Sequence, residues 1–508
     1  MALASLLETA SLATSLGLIF VLSIITIAIY RLIFHPLSSI PGPFACRLTS
    51  FWTYYHSYVG DECTLITQFH DSYGPVIRVA PNEICIADGS CLGPIYNDKG
   101  GFAKADCYRN FDIEGFASLF SELVKETRAP KAKSVLPLFS TGNLRQGERV
   151  LMRCVDTFVQ RVRSEKDEAK EQGAVNILNL SRSLALDAVT AYLFGRSYGG
   201  LEEEREGKKE TSNQIAEKPL MSASEFVDAF VGVGRFFYLP NWIFVAAELG
   251  AEKFFGTKAT EDSMTKVDDF VKEVVNQADP EDGSYPGRML KAGLTPEEVV
   301  AQCKDLMFAG TDSSGMNLST LCWQLAKNPD VYAKLKLEIS QAEASVDPAS
   351  LPYLRSCIRE ALRLSMANPT RLPRVVPPGG WVYHCASNDT TYHFPAGTLV
   401  SAQLHTLHHN PAVFSDPMIF RPERWLETSA GCESREQLAL MNRDFIPFGL
   451  GSRQCIARNL AMMELTLAGR AVAQSGVLDG AKGIGEKVEI VEWFNSRVKG
   501  EEILLRWD

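Results

Sequence analysis

The sequence predicts a mainly α-helical protein with small β-sheets, preceded by one N-terminal transmembrane helix. Three observations carry this expectation. Leu12 to Tyr30 is apolar and uncharged, Thr295 to Asn328 reads as one long helix with no proline between Pro296 and Pro329, and the only strand-like segments are short.

The first run holds about 19 residues, enough to cross a hydrocarbon core of ~30 Å. A cleaved signal peptide has a shorter apolar stretch, ~7–15 residues, followed by a small-residue cleavage site. Here Arg31, His35 and Pro36 come next instead, so residues 1–35 read as a retained anchor and 36–508 as one further body. Only Glu8 precedes the span and Arg31 lies just after it, which by the positive-inside rule makes the chain single-pass with everything downstream in the cytosol. The sequon Asn388-Asp389-Thr390 then never meets the glycosylation machinery. Ile40-Pro41-Gly42-Pro43 cannot continue the helix and reads as a stiff hinge.

Composition narrows the class. With 22% charged and 46% apolar residues the chain is neither disordered nor a multispan membrane protein. A formal charge of -10 gives the surface as a whole no attraction for nucleic acid. Twelve cysteines without a close CxxC pair fit neither a disulfide scaffold nor a zinc ribbon, and read as reduced thiols of a cytosolic compartment. The charged run Glu202 to Lys209 reads as a solvated loop, and Val76–Ala80, Glu83–Ile86 and Thr398–Gln403 as short strands.

The long helix opens on a capping box, Thr295-Pro296-Glu297-Glu298, and would run for roughly 33 residues or ~50 Å. Its middle, Ala309-Gly310-Thr311-Asp312-Ser313-Ser314-Gly315, is locally weak because glycine disfavours helix and hydroxyls compete for backbone carbonyls. Two readings are open: a ligand or cofactor lies against the small residues while Asp312 and Ser313 pass protons through water, or the helix kinks or is crossed closely by another helix. Downstream, Glu360 and Arg363 share a helix face at i and i+3, and Arg424 would make them a buried three-membered network. Finally, Phe448-Gly449-Leu450-Gly451-Ser452-Arg453-Gln454-Cys455 is a glycine-loosened loop delivering a cysteine to the start of a helix that opens near Ala457. A thiolate there is favoured by the helix dipole and free amide donors. The ordinary alternative for a lone cysteine is a buried structural role.

These segments together resemble the cytochrome P450 family. Phe448, Gly451, Arg453 and Cys455 match the heme-binding loop FxxGxRxCxG, Glu360 and Arg363 the ExxR pair, Arg424 the arginine completing it, and Ala309 to Ser314 the oxygen-activating stretch. The resemblance implies a P450 fold over 36–508 holding heme b, with Cys455 as axial ligand to the iron and a monooxygenase activity on a lipophilic small molecule. Phe448, Gly449, Arg453, Arg374, Arg128 and Lys133 would touch the cofactor, the basic ones at its propionates. Asp312 and Ser313, beside Thr311, would form the proton relay. Ser313 stands where the family usually has threonine, and Ala457 where it usually has glycine.

Electrons would come from NADPH through a separate flavoprotein, NADPH-cytochrome P450 reductase, with cytochrome b5 as an optional second donor. Arg421, Arg443, Arg453 and Arg458 would form the docking patch in an endoplasmic reticulum setting. Substrate contacts would come from Phe102 to Phe120, Phe308, Thr311, Ala367 to Leu372 and Phe494-Asn495. Phe34-His35-Pro36-Leu37 and Pro422 to Leu426 are similar to fungal members that tailor terpenoid or polyketide secondary metabolites. Two other readings keep the heme: a reductase-independent isomerase or dehydratase, and a non-enzymatic ligand-binding protein.

Overall fold

The computed structural model describes residues 2–202, 222–255, 258–343, 345–427 and 434–507, so the charged run lies, beyond Glu202, outside the described residues. The helices that build the site are α1 (Ala2–Ile29), α2 (Phe51–Val59), α3 (Lys125–Val135), α4 (Thr141–Gln172), α5 (Ile177–Leu193), α6 (Pro296–Lys327), α7 (Pro352–Ser365) and α8 (Arg458–Ser475). The strands β1 (Val76–Ala80), β2 (Glu83–Ile86), β3 (Ala103–Lys104), β4 (Arg374–Val375) and β5 (Leu399–Ser401) form one sheet in the order β1-β2-β5-β4-β3. The β2–β5 pair is parallel and the other pairs are antiparallel. The result is the expected mainly helical body with small sheets.

The 21 residues Thr14–Phe34 have a mean hydropathy of 2.4, and the run from Thr14 to Ile27 is exposed throughout. The segment between this helix and β1 is not a free hinge. Arg31 donates to the carbonyl of Leu48 at 2.5 Å, Arg47 to those of Leu32 and Ser38, and Arg78 to that of Arg31 at 2.9 Å. Leu37 and Ile40 are buried, and the amide of Arg78 in β1 donates to the carbonyl of Pro41 at 2.8 Å. Gly42 is needed there because a Cβ would meet the Arg78 carbonyl at 2.3 Å. The proline-rich turn therefore seats the end of the apolar N-terminal helix on the sheet.

Helix α6 is continuous and begins on both halves of the capping box, Thr295 Oγ1 accepting from Glu298 N at 3.3 Å and Glu298 Oε2 from Thr295 N at 2.9 Å. Its two interior glycines serve a helix crossing. A Cβ on Gly310 would lie 2.9 Å from Val189, and one on Gly315 2.8 Å from the Cα and backbone N of Arg182, both on α5. Small residues thus let α5 lie along α6, and the intimate contact recovers what glycine loses in helix propensity. Gly315→Ala is expected to push the helices apart at a cost of about 1–3 kcal/mol. A thermal midpoint unchanged from the wild type would refute this.

Candidate active site

The cysteine loop is shaped by its glycines. Gly449 and Gly451 sit at φ 69° and 71°, and a Cβ at Gly451 would meet the Tyr96 carbonyl at 2.0 Å. Amide donation from Gly449 to Ile446 O, Gln454 to Gly451 O and Cys455 to Phe448 O, at 2.9 to 3.0 Å, folds the segment back on itself. Ala457 then caps α8 at φ -89°, an angle any L residue adopts, so alanine in place of glycine introduces no backbone strain.

Cys455 has accessible surface, but that surface faces an internal cavity. Burial pushes its thiol up, and the Ala457 N–H and the Arg458 charge oppose that without cancelling it. The helix starts at Arg458 with Ala457 as its N-cap, as the sequence implies, but its amide and charge do not by themselves ionise the sulfur, because burial outweighs them. A bound metal cation is the kind of charge that deprotonates such a thiol.

Four cations gather along one edge of the same cavity. Arg128 donates to the carbonyl of Leu119 (2.8 Å), Arg453 to those of Glu122 and Leu123 (2.6 and 2.8 Å), Arg374 to the Tyr108 hydroxyl (2.8 Å) and Lys104 to the carbonyl of Phe120 (2.5 Å). Lys104 lies directly opposite Arg374 across the β3–β4 pair, where like charges repel. Its ammonium sits 4.0 Å from both the Tyr108 and Phe120 ring centroids, and burial, then Arg374, Arg453 and Arg128, pull its pKa well down. No carboxylate among the described residues pairs with any of the four. A cluster of basic side chains without an ion-pair partner on a cavity wall fits an anion, and two carboxylates would fit it well.

The positions expected to meet a cofactor divide accordingly. Phe448, Gly449, Arg128, Arg374 and Arg453 line the cavity, whereas Lys133 is exposed and does not. Five residues along a helix turn a side chain by about 140°, which places Lys133 on the far side of α3 from Arg128. Lys104, absent from the expectation, takes the place assigned to it. The sequence signal was only a single basic residue between Phe102 and Tyr108.

On α6, Ala309, Gly310, Ser313 and Ser314 line the cavity, and Ser313 Oγ donates to the Ala309 carbonyl at 2.9 Å. Asp312 and Thr311 are buried but absent from the cavity wall. Arg182 of α5 donates to Asp312 Oδ1 at 2.8 Å and to the half-buried Glu501 at 2.5 Å, with Arg182 and Asp312 themselves enclosed. Neighbours on a helix point ~100° apart, so the expected acid and alcohol face different surroundings.

The ExxR residues form a closed network. Glu360 receives Arg363 at 2.7 and 3.1 Å, Arg424 at 3.0 Å and the Trp425 indole at 2.9 Å, with the three charged side chains fully buried. Burial opposes ionisation of Glu360, but Arg363 and Arg424 outweigh it and hold the carboxyl below its ordinary range.

Above the cysteine the wall is aromatic: Tyr108, Phe111, Phe120, Phe230 and Phe494, with Ala367, Asn368, Leu372 and Asn495 beside them. Gln302 of α6 positions the loop that bears Phe120, accepting from Leu119 N at 2.9 Å and donating to Ala117 O at 3.0 Å. Phe102 packs on Trp381 instead, and Phe308 stacks behind Phe230 at 4.4 Å, so these two and Thr311 are not direct lining residues. Asp305 and Glu464 line the cavity without having been anticipated; burial raises them to about 6 and about 8.

A cysteine presented by a glycine loop, an ExxR network locked behind it and a cation-rimmed cavity define a heme-thiolate enzyme site. The cytochrome P450 family model matches residues 41–473, so the chain belongs to the cytochrome P450 family, whose cofactor is a heme iron. It is similar to the cytochrome P450 monooxygenase mfmF of Annulohypoxylon moriforme, 36% identical over 493 residues covering 94% of this chain and 96% of that one. Others are apf7 of Gibberella fujikuroi, 30% identical with 88% and 87% covered, and tazI of Aspergillus terreus, 28% identical with 90% of each covered, both cytochrome P450 monooxygenases.

Proposed function

We propose that this oxygenase inserts one atom of O2 into a lipophilic small molecule of fungal secondary metabolism, of terpenoid or polyketide type, with electrons from NADPH through a separate reductase. The observation that carries the reading is Cys455 facing a cavity rimmed by four cations and roofed by aromatic rings. Cys455 would hold the heme iron, and Arg128, Arg374, Arg453 and Lys104 its two carboxylates. Bound there, a thiolate-ligated heme supplies oxygen activation, because thiolate favours O–O cleavage. The protein's own residues do the rest. The phenylalanines exclude water and orient an apolar substrate, and the Ser313 hydroxyl stands on the wall where it can hold water.

The residues 1–35 serve as anchor and 36–508 as catalytic domain, with the domain on the cytosolic face of the endoplasmic reticulum. Supporting this, α2 exposes Phe51, Tyr55, Tyr58 and Val59 at the i, i+4, i+7, i+8 spacing of one helix face, and Trp242 is 76% exposed. Exposed apolar side chains of this kind suit a membrane surface. For the reductase, Arg458 is exposed near the cysteine loop, while Arg421 and Arg443 are partly engaged by Asp416 and Asp444. Cytochrome b5 would compete for the same face.

The test is turnover of full-length enzyme with reductase, NADPH and isotopically labelled O2 over a terpenoid and polyketide panel. One labelled atom is expected in the product. Conversion without reductase or label would establish the isomerase or dehydratase reading, and heme binding with no substrate-dependent NADPH use the ligand-binding one.

A further inference from the structure

Asp305 lines the cavity from α6 at i, i+4 and i+8 with Ala309 and Ser313, so it shares their face of the helix, one turn before them. It is buried, and it adjoins the loop that carries Phe120, whose Ser118 hydroxyl reaches it. Among the described residues no cation pairs with it; the Ser118 hydroxyl and the Lys104 charge oppose its burial without cancelling it. The Lys104 ammonium itself is spent on the carbonyl of Phe120. Other polar groups of the wall are committed within the protein: the Tyr108 hydroxyl accepts from Arg374, Asn368 donates to the Phe494 carbonyl and Ser365 to Asn317. A carboxylate has room for about four hydrogen bonds, and one set among aromatic rings is costly unless a donor meets it.

We infer that Asp305 is a specificity-determining residue that accepts a hydrogen bond from a hydroxyl of the substrate, so that the molecule entering the cavity is already a lipophilic alcohol or phenol. The inference rests on the oxygenase reading proposed above and names the substrate class of that same site. Charge decides for a hydroxyl over an ammonium. The two carboxylates of the proposed heme and Asp305 together match Arg128, Arg374 and Arg453, which leaves no negative surplus for a cationic substrate, whatever the protonation of Lys104. A neutral donor satisfies the carboxylate without adding charge to the cavity, and the phenylalanines take the apolar remainder of the molecule.

The test uses heme-loaded full-length protein and ligands anchored at the iron: 4-phenylimidazole and its hydroxyphenyl and methylphenyl analogues, with the substituent moved round the ring. Affinity is read from the Soret shift on binding, without turnover. In the wild type one hydroxyl isomer is expected to bind on the order of tenfold tighter than its methyl isostere, the strength of a hydrogen bond to a charged acceptor. Asp305→Asn, which keeps the size and can still meet Ser118, should lose several-fold of that preference, and Asp305→Ala nearly all of it. Both variants should keep the carbon monoxide band and bind the methyl ligand as the wild type does, whereas a merely structural Asp305 would weaken both ligands alike. The inference is overturned if no hydroxyl isomer is preferred, if the preference survives in Asp305→Ala, or if an aminomethyl analogue binds tighter than the hydroxyl one. Absence of any Soret shift with 4-phenylimidazole itself would strike the heme-thiolate reading, and this inference with it.

Discussion

Cys455→Ala is expected to abolish the strongly red-shifted Soret band that the reduced wild-type enzyme gives with carbon monoxide, while the fold survives. The side chain faces the cavity, so removing its sulfur breaks no protein contact that shapes the loop. The loop is held by backbone bonds, including the Cys455 amide to Phe448 O at 2.9 Å, and by the positive φ of Gly449 and Gly451, none of which needs a thiol. Loss of the band with an unchanged thermal midpoint of the heme-free protein would separate ligation from folding. A band that persists in the variant would remove Cys455 from the iron and with it the proposed mechanism.

Arg363→Ala is expected to do the opposite and cost the fold. Arg363 makes two bonds to Glu360 and donates to the carbonyls of His408, Pro417 and Ile419. Its removal leaves a buried carboxylate with half its compensation and three carbonyls short of a donor. Breaking one partner of a buried pair costs ~3–5 kcal/mol, against a total stability of ~5–15 kcal/mol. Lysine at 363 should rescue little, because a single ammonium cannot reproduce the bidentate fork. The pH dependence takes its sign from Glu360, whose folded pKa is depressed. Its contribution is present above the ordinary glutamate pKa and is lost only as pH falls through the lower folded value. Urea midpoints of wild type and variant check this, and a difference under ~1 kcal/mol would contradict it.

The contrast between these variants shows which parts of the site were legible in the sequence. Local chemistry was. Glycines around a cysteine, a Thr-Pro-Glu-Glu helix start and a Glu and Arg three apart carry their meaning within one turn, and the structure places each where its spacing implied. The long helix, the short strands Val76–Ala80 and Glu83–Ile86 and the apolar N-terminal helix arise from the same short-range rules.

Tertiary structure decided what depends on two distant segments meeting. The sequence left Gly310 and Gly315 open between a cofactor and a helix crossing; only the approach of Arg182 gives Gly315 to the crossing, while Gly310 both meets Val189 and lines the cavity. Lys104 enters the cation cluster because β3 pairs with β4, a register between residues some 270 positions apart that no local pattern encodes. Arg371, fully buried between Glu62 and Glu83, is another such pairing. Motifs are legible because their partners are covalently near. Which cations crowd one cavity edge, and which acid stands alone on its wall, is fixed only when packing brings their helices and strands together.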